Sequence, residues 1–332
     1  MSDEEPVRFY RTADADPQAL AGQSIAVLGY GNLGRSVALN LRDTGQRVVV
    51  GNVDDDYRPV AETDSFVPQD IPDAVTEADV VMVLLPDEVI SECFAQQIRP
   101  YLSPGSAVGF ASGYALAYGL VDVPAEVDAV LLSPRMPGED VRSTYTDGNG
   151  FFSYISVEQD ATGKAWARLL ALAHAVGTLV KGALELPARR EAQLDLFVEQ
   201  TFGAYLGVAL QTAFTVGQEA GIPPEALVME LYMSGEMSRT LTGFAEKGFF
   251  AAVRQHGSTA AYGGFLRTLD IDAEEMQRVF RGALADISSG GFAARFQEEH
   301  ERGNPTLSAI DQVTDGTDEL TAAERRVRDA LK

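Results

Sequence analysis

Residues 25–51 read IAVLGYGNLGRSVALNLRDTGQRVVVG, and this stretch decides the fold. Ile25 to Leu28 is an apolar run of strand length, Gly29 to Gly34 a glycine turn, the next residues an amphipathic helix, and Arg47 to Val50 a second apolar run. The pattern is a βαβ unit. Gly29, Gly31 and Gly34 form G-x-G-x-x-G between strand and helix, where glycines permit a tight turn and let backbone approach a pyrophosphate held at the helix N-terminus. The second strand ends in GNVDDDYRP, residues 51–59. Asp54, Asp55 and Asp56 can accept hydrogen bonds from free ribose hydroxyls and repel a 2′-phosphate, which Arg58 alone could counter. The balance favours NADH over NADPH, unless these aspartates are only solvated surface acid.

Further short apolar runs follow at Val80 to Leu85, Ala107 to Phe110 and Ala129 to Leu132, as expected of parallel strands buried on both faces. A strand from Phe151 to Val157, a helix from about Ala161 to Val176 and a last strand near Thr178 to Gly182 complete an α/β, Rossmann-like, mostly parallel sheet. It spans residues 23–183, after an N-terminal extension of residues 1–22. Past Pro187 the character changes: Ala188 to Gly221 contains no Pro and places Leu194, Phe197, Phe202, Leu206 and Leu210 at helical spacing. Pro223 and Pro224 open another helix, and Ala273 to Ser288 and Phe292 to Arg302 read as two more. Residues 184–310 therefore form an all-helical domain, and residues 311–332 a charged, peripheral tail.

Charge narrows the partners. The chain has 26 Lys and Arg against 49 Asp and Glu, net −23, with 45% hydrophobic residues. A field of this sign repels phosphate backbones and anionic lipids, so neither nucleic acid nor a membrane surface is expected as a partner. With only Lys164, Lys181, Lys247 and Lys332 as lysines, the acidic coat is that of a halophilic protein suited to a salt-rich cytoplasm. Cys93 is the sole cysteine, which fits a reducing compartment and a small core residue. The acidic opening residues lack the form of an export signal, and no apolar run nears the roughly 20 residues of a spanning helix.

Asp195 and Glu199 lie four apart and share a helix face, where like charges repel. A divalent cation between them explains the pair, since magnesium takes oxygen ligands and keeps several waters; exposed surface acids are the other explanation. Glu230 and Glu236 are further oxygen donors with the same two readings.

Taken in order, the motifs IAVLGYGNLGRSVALNLRDTGQRVVVG, VVMVLLPDE, FASGYALAYG, LSPRMPGEDVRSTYTDGNG, QDATG, LDLFVEQ, STAAYG and SSGGFAARF followed by GNP resemble the ketol-acid reductoisomerases, also called acetohydroxy-acid isomeroreductases. The resemblance runs from about Ile25 to Ile310 and is to the family's short form. It implies a Rossmann-like domain followed by an intertwined, knotted-type helical domain formed by two chains, hence a homodimer or higher homo-oligomer. It implies NADH or NADPH held by Gly29, Tyr30, Gly31, Asn32, Leu33, Gly34, Asn52, Asp54, Pro86 and Gly138. It also implies a two-part reaction of branched-chain amino-acid biosynthesis. Two magnesium ions polarise a 2-hydroxy-2-alkyl-3-oxo acid while an alkyl group migrates, and hydride then reduces the new ketone. Asp195 and Glu199 match metal-binding carboxylates. Glu236 matches an acid reaching the partner subunit's metals and the substrate, and Ser258 lies at or beside a substrate-contacting serine. The fourth acid falls on Tyr232 by ungapped matching and on Glu230 if an insertion is moved.

Two departures bear on catalysis. Ser112 stands in Ala-Ser-Gly where the family has A-H-G, and Arg135 in Pro-Arg-Met-Pro-Gly where it has P-K-G-P-G. A serine hydroxyl without a base orients but does not exchange protons, and arginine keeps its charge where lysine can release a proton. His174 in an apolar helix, His300 in a charged one and His256 before Gly257 offer no evident replacement. The expectation is an NAD(P)H- and Mg2+-dependent oxidoreductase of this family acting on a small 2-hydroxy-3-oxo or 2-oxo acid, with Ser112, Arg135, Asp195 and Glu199 as catalytic residues and isomerisation in question. A simple 2-oxo-acid or hydroxy-acid dehydrogenase, and an inactive cofactor-binding dimer with a regulatory or scaffold role, are the alternatives.

Overall fold

Every residue of Ser24–Leu28 is buried, which a strand achieves when both faces of its sheet are covered. The computed structural model describes residues 7–253, 257–313, 316 and 318–332, so His256 lies outside the described residues. Around that strand it builds an eight-stranded sheet. The strands are β1 (Phe9–Tyr10), β2 (Ser24–Leu28), β3 (Arg47–Gly51), β4 (Val80–Val83), β5 (Ala107–Phe110), β6 (Asp128–Pro134), β7 (Phe152–Gln159) and β8 (Gly182–Glu185). Their order across the sheet is β1-β8-β7-β6-β5-β4-β2-β3. From β3 to β6 all neighbours are parallel; β7 is antiparallel to β6, β8 is parallel to β7 and β1 is antiparallel to β8. The mostly parallel, Rossmann-like sheet read from the sequence is therefore present.

Side-chain alternation splits this region's core into two layers. Ile25 and Val27 face one layer with Val37, Leu41, Leu169 and Leu172, whereas Ala26 and Leu28 face the other with Val81, Val83, Phe94 and Phe110. The winding of the sheet reverses between β2 and β4, where open α/β sheets leave a crevice at their carboxyl ends.

Two expectations are corrected. Thr178–Lys181 is one helical turn, and the strand begins only at Gly182. Gly177 and Gly182, at φ of 98° and 129°, frame that turn with backbone that favours glycine, and the Thr178 hydroxyl donates to the Phe151 carbonyl at 2.9 Å. Within residues 1–22, Phe9–Tyr10 adds an edge strand, and the Tyr10 ring stacks on Trp166 at 5.4 Å.

The chain divides into two compact units, Met1–Leu194 and Asp195–Lys332. The second is helical throughout its described residues. The long helix expected from Ala188 consists of Ala188–Val198, a widened turn at Glu199–Gly203 and Ala204–Glu219. In that turn the Ala204 N–H reaches back five residues to the Glu199 carbonyl, one more than in an α-helix. A second such turn occupies Met229–Met233. The buried core of this unit is small: Phe214 and Val228 meet Ala323 and Val327. These last two lie on the helix Glu319–Ala330, so the presumed peripheral tail packs into the unit through its apolar stripe of Leu320, Ala323 and Val327. No helix among the described residues is long and apolar enough to cross a membrane.

Candidate active site

A cleft of about 860 Å³ opens at the carboxyl ends of β2 to β5, where the winding reverses. Its floor is the glycine turn. Gly29 has φ of 90°, and a Cβ there would stand 2.6 Å from the Leu84 carbonyl oxygen. At Gly34 a Cβ would fall 1.8 Å from the Gly29 carbonyl oxygen, so this glycine lets the helix Asn32–Asp43 press onto its own turn. A Cβ at Gly31 would meet nothing within 4 Å, so its absence leaves room on the cleft side. Gly31 caps that helix without a side-chain bond, and the first turn carries no acid. Exposed N–H groups and a positive helix end thus meet an open space, as a pyrophosphate requires. Gly138 presses on the same loop, where a Cβ would lie 2.7 Å from the Leu33 nitrogen.

Asn52 braces the turn. Its side-chain oxygen accepts the Tyr30 N–H at 2.9 Å, and its amide donates to an Asp55 carboxylate oxygen at 2.7 Å. The Tyr30 phenol turns away from the cleft to donate to Asp64 at 3.0 Å, and burial holds it protonated well above the usual tyrosine range. Of the three aspartates after β3, Asp55 lines the cleft, whereas Asp54 and Asp56 are exposed outside its lining. Val53, Ile71, Leu85, Pro86 and Val89 supply apolar walls. Cys93 also lines the cleft, its thiol pushed up by burial and by Glu92.

Ser112 closes the far end of the cleft, and its Oγ accepts the Tyr114 N–H at 3.2 Å. Burial pushes the Tyr114 hydroxyl up to about 12, so it too keeps its proton near neutrality. Next to this loop lies a residue that sequence reasoning missed. Glu191 is fully buried, and its carboxylate accepts the Gly113 N–H at 2.7 Å, the Ser133 hydroxyl at 2.7 Å and an Arg135 Nη2 at 3.0 Å. Arg135 also donates to Ser133 and stacks on the Tyr154 ring, its Cζ 5.1 Å from the centroid. Glu191 thereby ties the Ser112 loop to the Arg135 guanidinium. Only its spacing, four residues before Asp195, hinted at this; within ARREAQLDLF it reads as another surface acid.

The carboxylates proposed for metal lie in the second unit. Asp195 is half-buried, and Glu199, at the start of the widened turn, is exposed, as are Glu230, Glu236 and Ser258. Asp195 and Glu199 offer oxygen donors one turn apart, which fits magnesium bound by two carboxylates and water. Among the described residues no group of three or more His, Cys, Asp or Glu is placed to hold a metal, so Glu230 and Glu236 are not gathered with them within one chain.

Known proteins extend this picture. Residues 19–182 match the acetohydroxy acid isomeroreductase NADPH-binding domain, and residues 189–332 the ketol-acid reductoisomerase C-terminal domain. A putative ketol-acid reductoisomerase 3 of Saccharolobus solfataricus is 34% identical over 323 residues, covering 96% of this chain and 97% of that protein. A ketol-acid reductoisomerase (NAD(P)(+)) of Metallosphaera sedula is 35% identical over 329 residues, covering 98% and 97%. Among solved structures, an NADH-preferring ketol-acid reductoisomerase from an uncultured archaeon superposes with a TM-score of 0.91 at 29% identity, over 97% of this chain and 98% of that one.

Proposed function

The chain belongs to the ketol-acid reductoisomerase family, and from that membership we propose that it is an NADH-preferring, Mg2+-dependent oxidoreductase of small 2-oxo and acetolactate-type 2-hydroxy-3-oxo acids, stronger in reduction than in alkyl migration. The observation that carries this reading is the single cleft joining the glycine turn to Ser112, with Arg135 fixed behind the Ser112 loop by Glu191.

A bound nicotinamide supplies a hydride, and magnesium supplies a Lewis acid for the substrate oxygens. The chain's own groups bind and orient. Gly31 and the first N–H groups of the helix Asn32–Asp43 hold the pyrophosphate, and Asp55 rather than Asp54 accepts from the adenosine ribose. No Lys or Arg lines the cleft, whereas Asp55, Asp87 and Glu92 do, which supports the cofactor without a 2′-phosphate. Arg135, charged at every working pH, suits a substrate carboxylate. Asp195 and Glu199 are the metal carboxylates, completed by Glu236 and Glu230 from a second copy, with Ser258 at the substrate. That second copy is supported by the apolar residues left exposed on the helical unit, and the setting by the acidic, cysteine-poor composition of a cytoplasmic protein.

Proton movement is what this site lacks. Arginine does not release a proton, and no base adjoins the Ser112 hydroxyl among its printed partners. Migration in a 2-hydroxy-3-oxo acid needs the C2 hydroxyl proton removed as the alkyl group moves to C3; reduction of the resulting 3-hydroxy-2-oxo acid needs only hydride and one proton. Purified protein assayed in high salt with NADH and Mg2+ should therefore turn over the 3-hydroxy-2-oxo acid at least tenfold faster than 2-acetolactate, and lose activity to a chelator. Equal rates would favour the second reading, a complete isomeroreductase, which the names of the relatives support.

A further inference from the structure

The lining of the cleft contains no cation, yet two arginines stand immediately beside lining residues: Arg35 follows Gly34, and Arg58 follows Tyr57. Both are engaged by carboxylates. Arg35 makes a two-pronged pair with Asp64, Nε at 2.6 Å and Nη2 at 3.1 Å, and Asp64 also accepts the Tyr30 phenol. Arg35 holds the Asp64 carboxyl below the ordinary carboxylate range, so the pair stays ionised near neutrality. This arrangement belongs to the framework beneath the glycine turn.

Arg58 is held differently. Its Nη2 donates to Asp70 Oδ1 at 2.9 Å and lies 3.5 Å from the Pro68 carbonyl. Asp70 is 71% exposed at its side chain, and the contact is a single bond rather than a fork. Asp70 also sits at a leverage point. Gln69 bridges to the end of β3, donating to the Val50 carbonyl and accepting the Asn52 N–H, and Ile71 lines the cleft. The segment carrying Asp70 is therefore tied to the strand end that carries Asp55. Tyr57, the neighbour of Arg58, is in turn fixed by its N–H to the Asp55 carboxylate at 2.9 Å. One carboxylate faces the cleft and a second, fifteen residues on, draws the nearest guanidinium to itself.

We propose that Asp70 is a specificity-determining positioning residue: it latches Arg58 away from the adenosine end of the cleft, so that the protein carries a dormant site for a 2′-phosphate and discriminates against NADPH. This rests on the reading of the cleft as a nicotinamide dinucleotide site. Discrimination then has two parts, Asp55 repelling a phosphate directly and Asp70 withholding the cation that could neutralise it. Because an exposed ion pair of one bond is weak, the latch can be opened by one substitution, whereas the Arg35 pair cannot.

The test is a fluorescence titration of NADH and NADPH into the full-length protein at one fixed salt concentration, with wild type, Asp70→Asn, Arg58→Ala and the double variant. Asp70→Asn should tighten NADPH about tenfold, leave NADH within about twofold, and lose the whole gain when Arg58 is also alanine. A gain that survives in the double variant would mean that removal of a negative charge is the entire effect, and the latch is overturned. An unchanged NADPH affinity in Asp70→Asn overturns it equally. Wild-type protein that binds neither dinucleotide overturns the cofactor reading itself, and does so before any variant is compared.

Discussion

In the first unit both faces of the sheet are covered, and strands such as Ser24–Leu28 and Val80–Val83 have no exposed residue. In the second, the helices Glu236–Lys247 and Ser258–Thr268 bury no residue at all. Tyr262, Phe265 and Leu269 are 69%, 66% and 68% exposed and recur at helical spacing, so that helix has an apolar stripe with nothing of its own chain upon it. Monomeric proteins seldom show water such a surface. One unit closes its core within the chain. The other has the pattern of half an interface, which supports burial against a second copy.

The sharpest way to break this contrast is at the stripe. Phe265→Asp with Leu269→Asp should convert an assembly of two or more chains into monomers by sedimentation velocity and abolish turnover. A wild-type protein that sediments as a monomer, or a variant with unchanged mass, would leave the second unit's exposed surface without a partner.

A smaller effect is expected inside the first unit. Glu191→Ala removes the buried anion from Arg135, Ser133 and the Gly113 N–H. Breaking such a pair costs about 3–5 kcal/mol, because the partner charge stays buried without compensation. Chemical denaturation should show that loss with the oligomer mass unaltered; a change below about 1 kcal/mol would mean that the network is not under strain when opened.

The smallest effect is an acid limb. The Asp64 carboxyl is depressed below its ordinary value of 3.8, chiefly by its hydrogen bonds to Arg35. A carboxyl with a lower value in the folded chain stabilises it above the unfolded value, and that contribution fades as pH falls through the folded one. Melting temperature should thus drop from about pH 4 downward, and Asp64→Asn should flatten that limb while lowering the plateau near neutrality. A limb of equal slope in the variant would assign acid sensitivity to other carboxylates, Asp43 beside Arg142 being the next.

What the sequence made legible follows the same division. Uninterrupted apolar runs and a glycine turn specify β2 to β6 because a strand buried on both faces leaves a local signature. Phe9–Tyr10 leaves none, since two residues show no period and their pairing with β8 crosses most of the unit. Thr178 to Lys181 has the β-branched look of a strand, yet a hydroxyl bond to Phe151 and a glycine on each side make it a helical turn. In the site, Gly29, Gly31, Gly34 and Ser112 were readable from spacing and motif, whereas Glu191 was not, because burial is a tertiary fact. The choice of Asp55 among three adjacent aspartates likewise depended on Asn52 and Tyr57, which orient it.

The widened turn at Glu199–Gly203 has a consequence for how this chain tolerates insertion and deletion. It holds one residue more than the α-helix on either side, and each residue of an α-helix advances the azimuth by about 100°. Deleting Gln200 would therefore remove little material and few contacts, but it would turn Leu206, Leu210 and all that follows by more than a quarter revolution relative to Asp195. Substitutions along this helix act locally, while a single-codon gap acts on the heading of every later helix. Length, more than identity, is the property of this segment that selection has least freedom to vary.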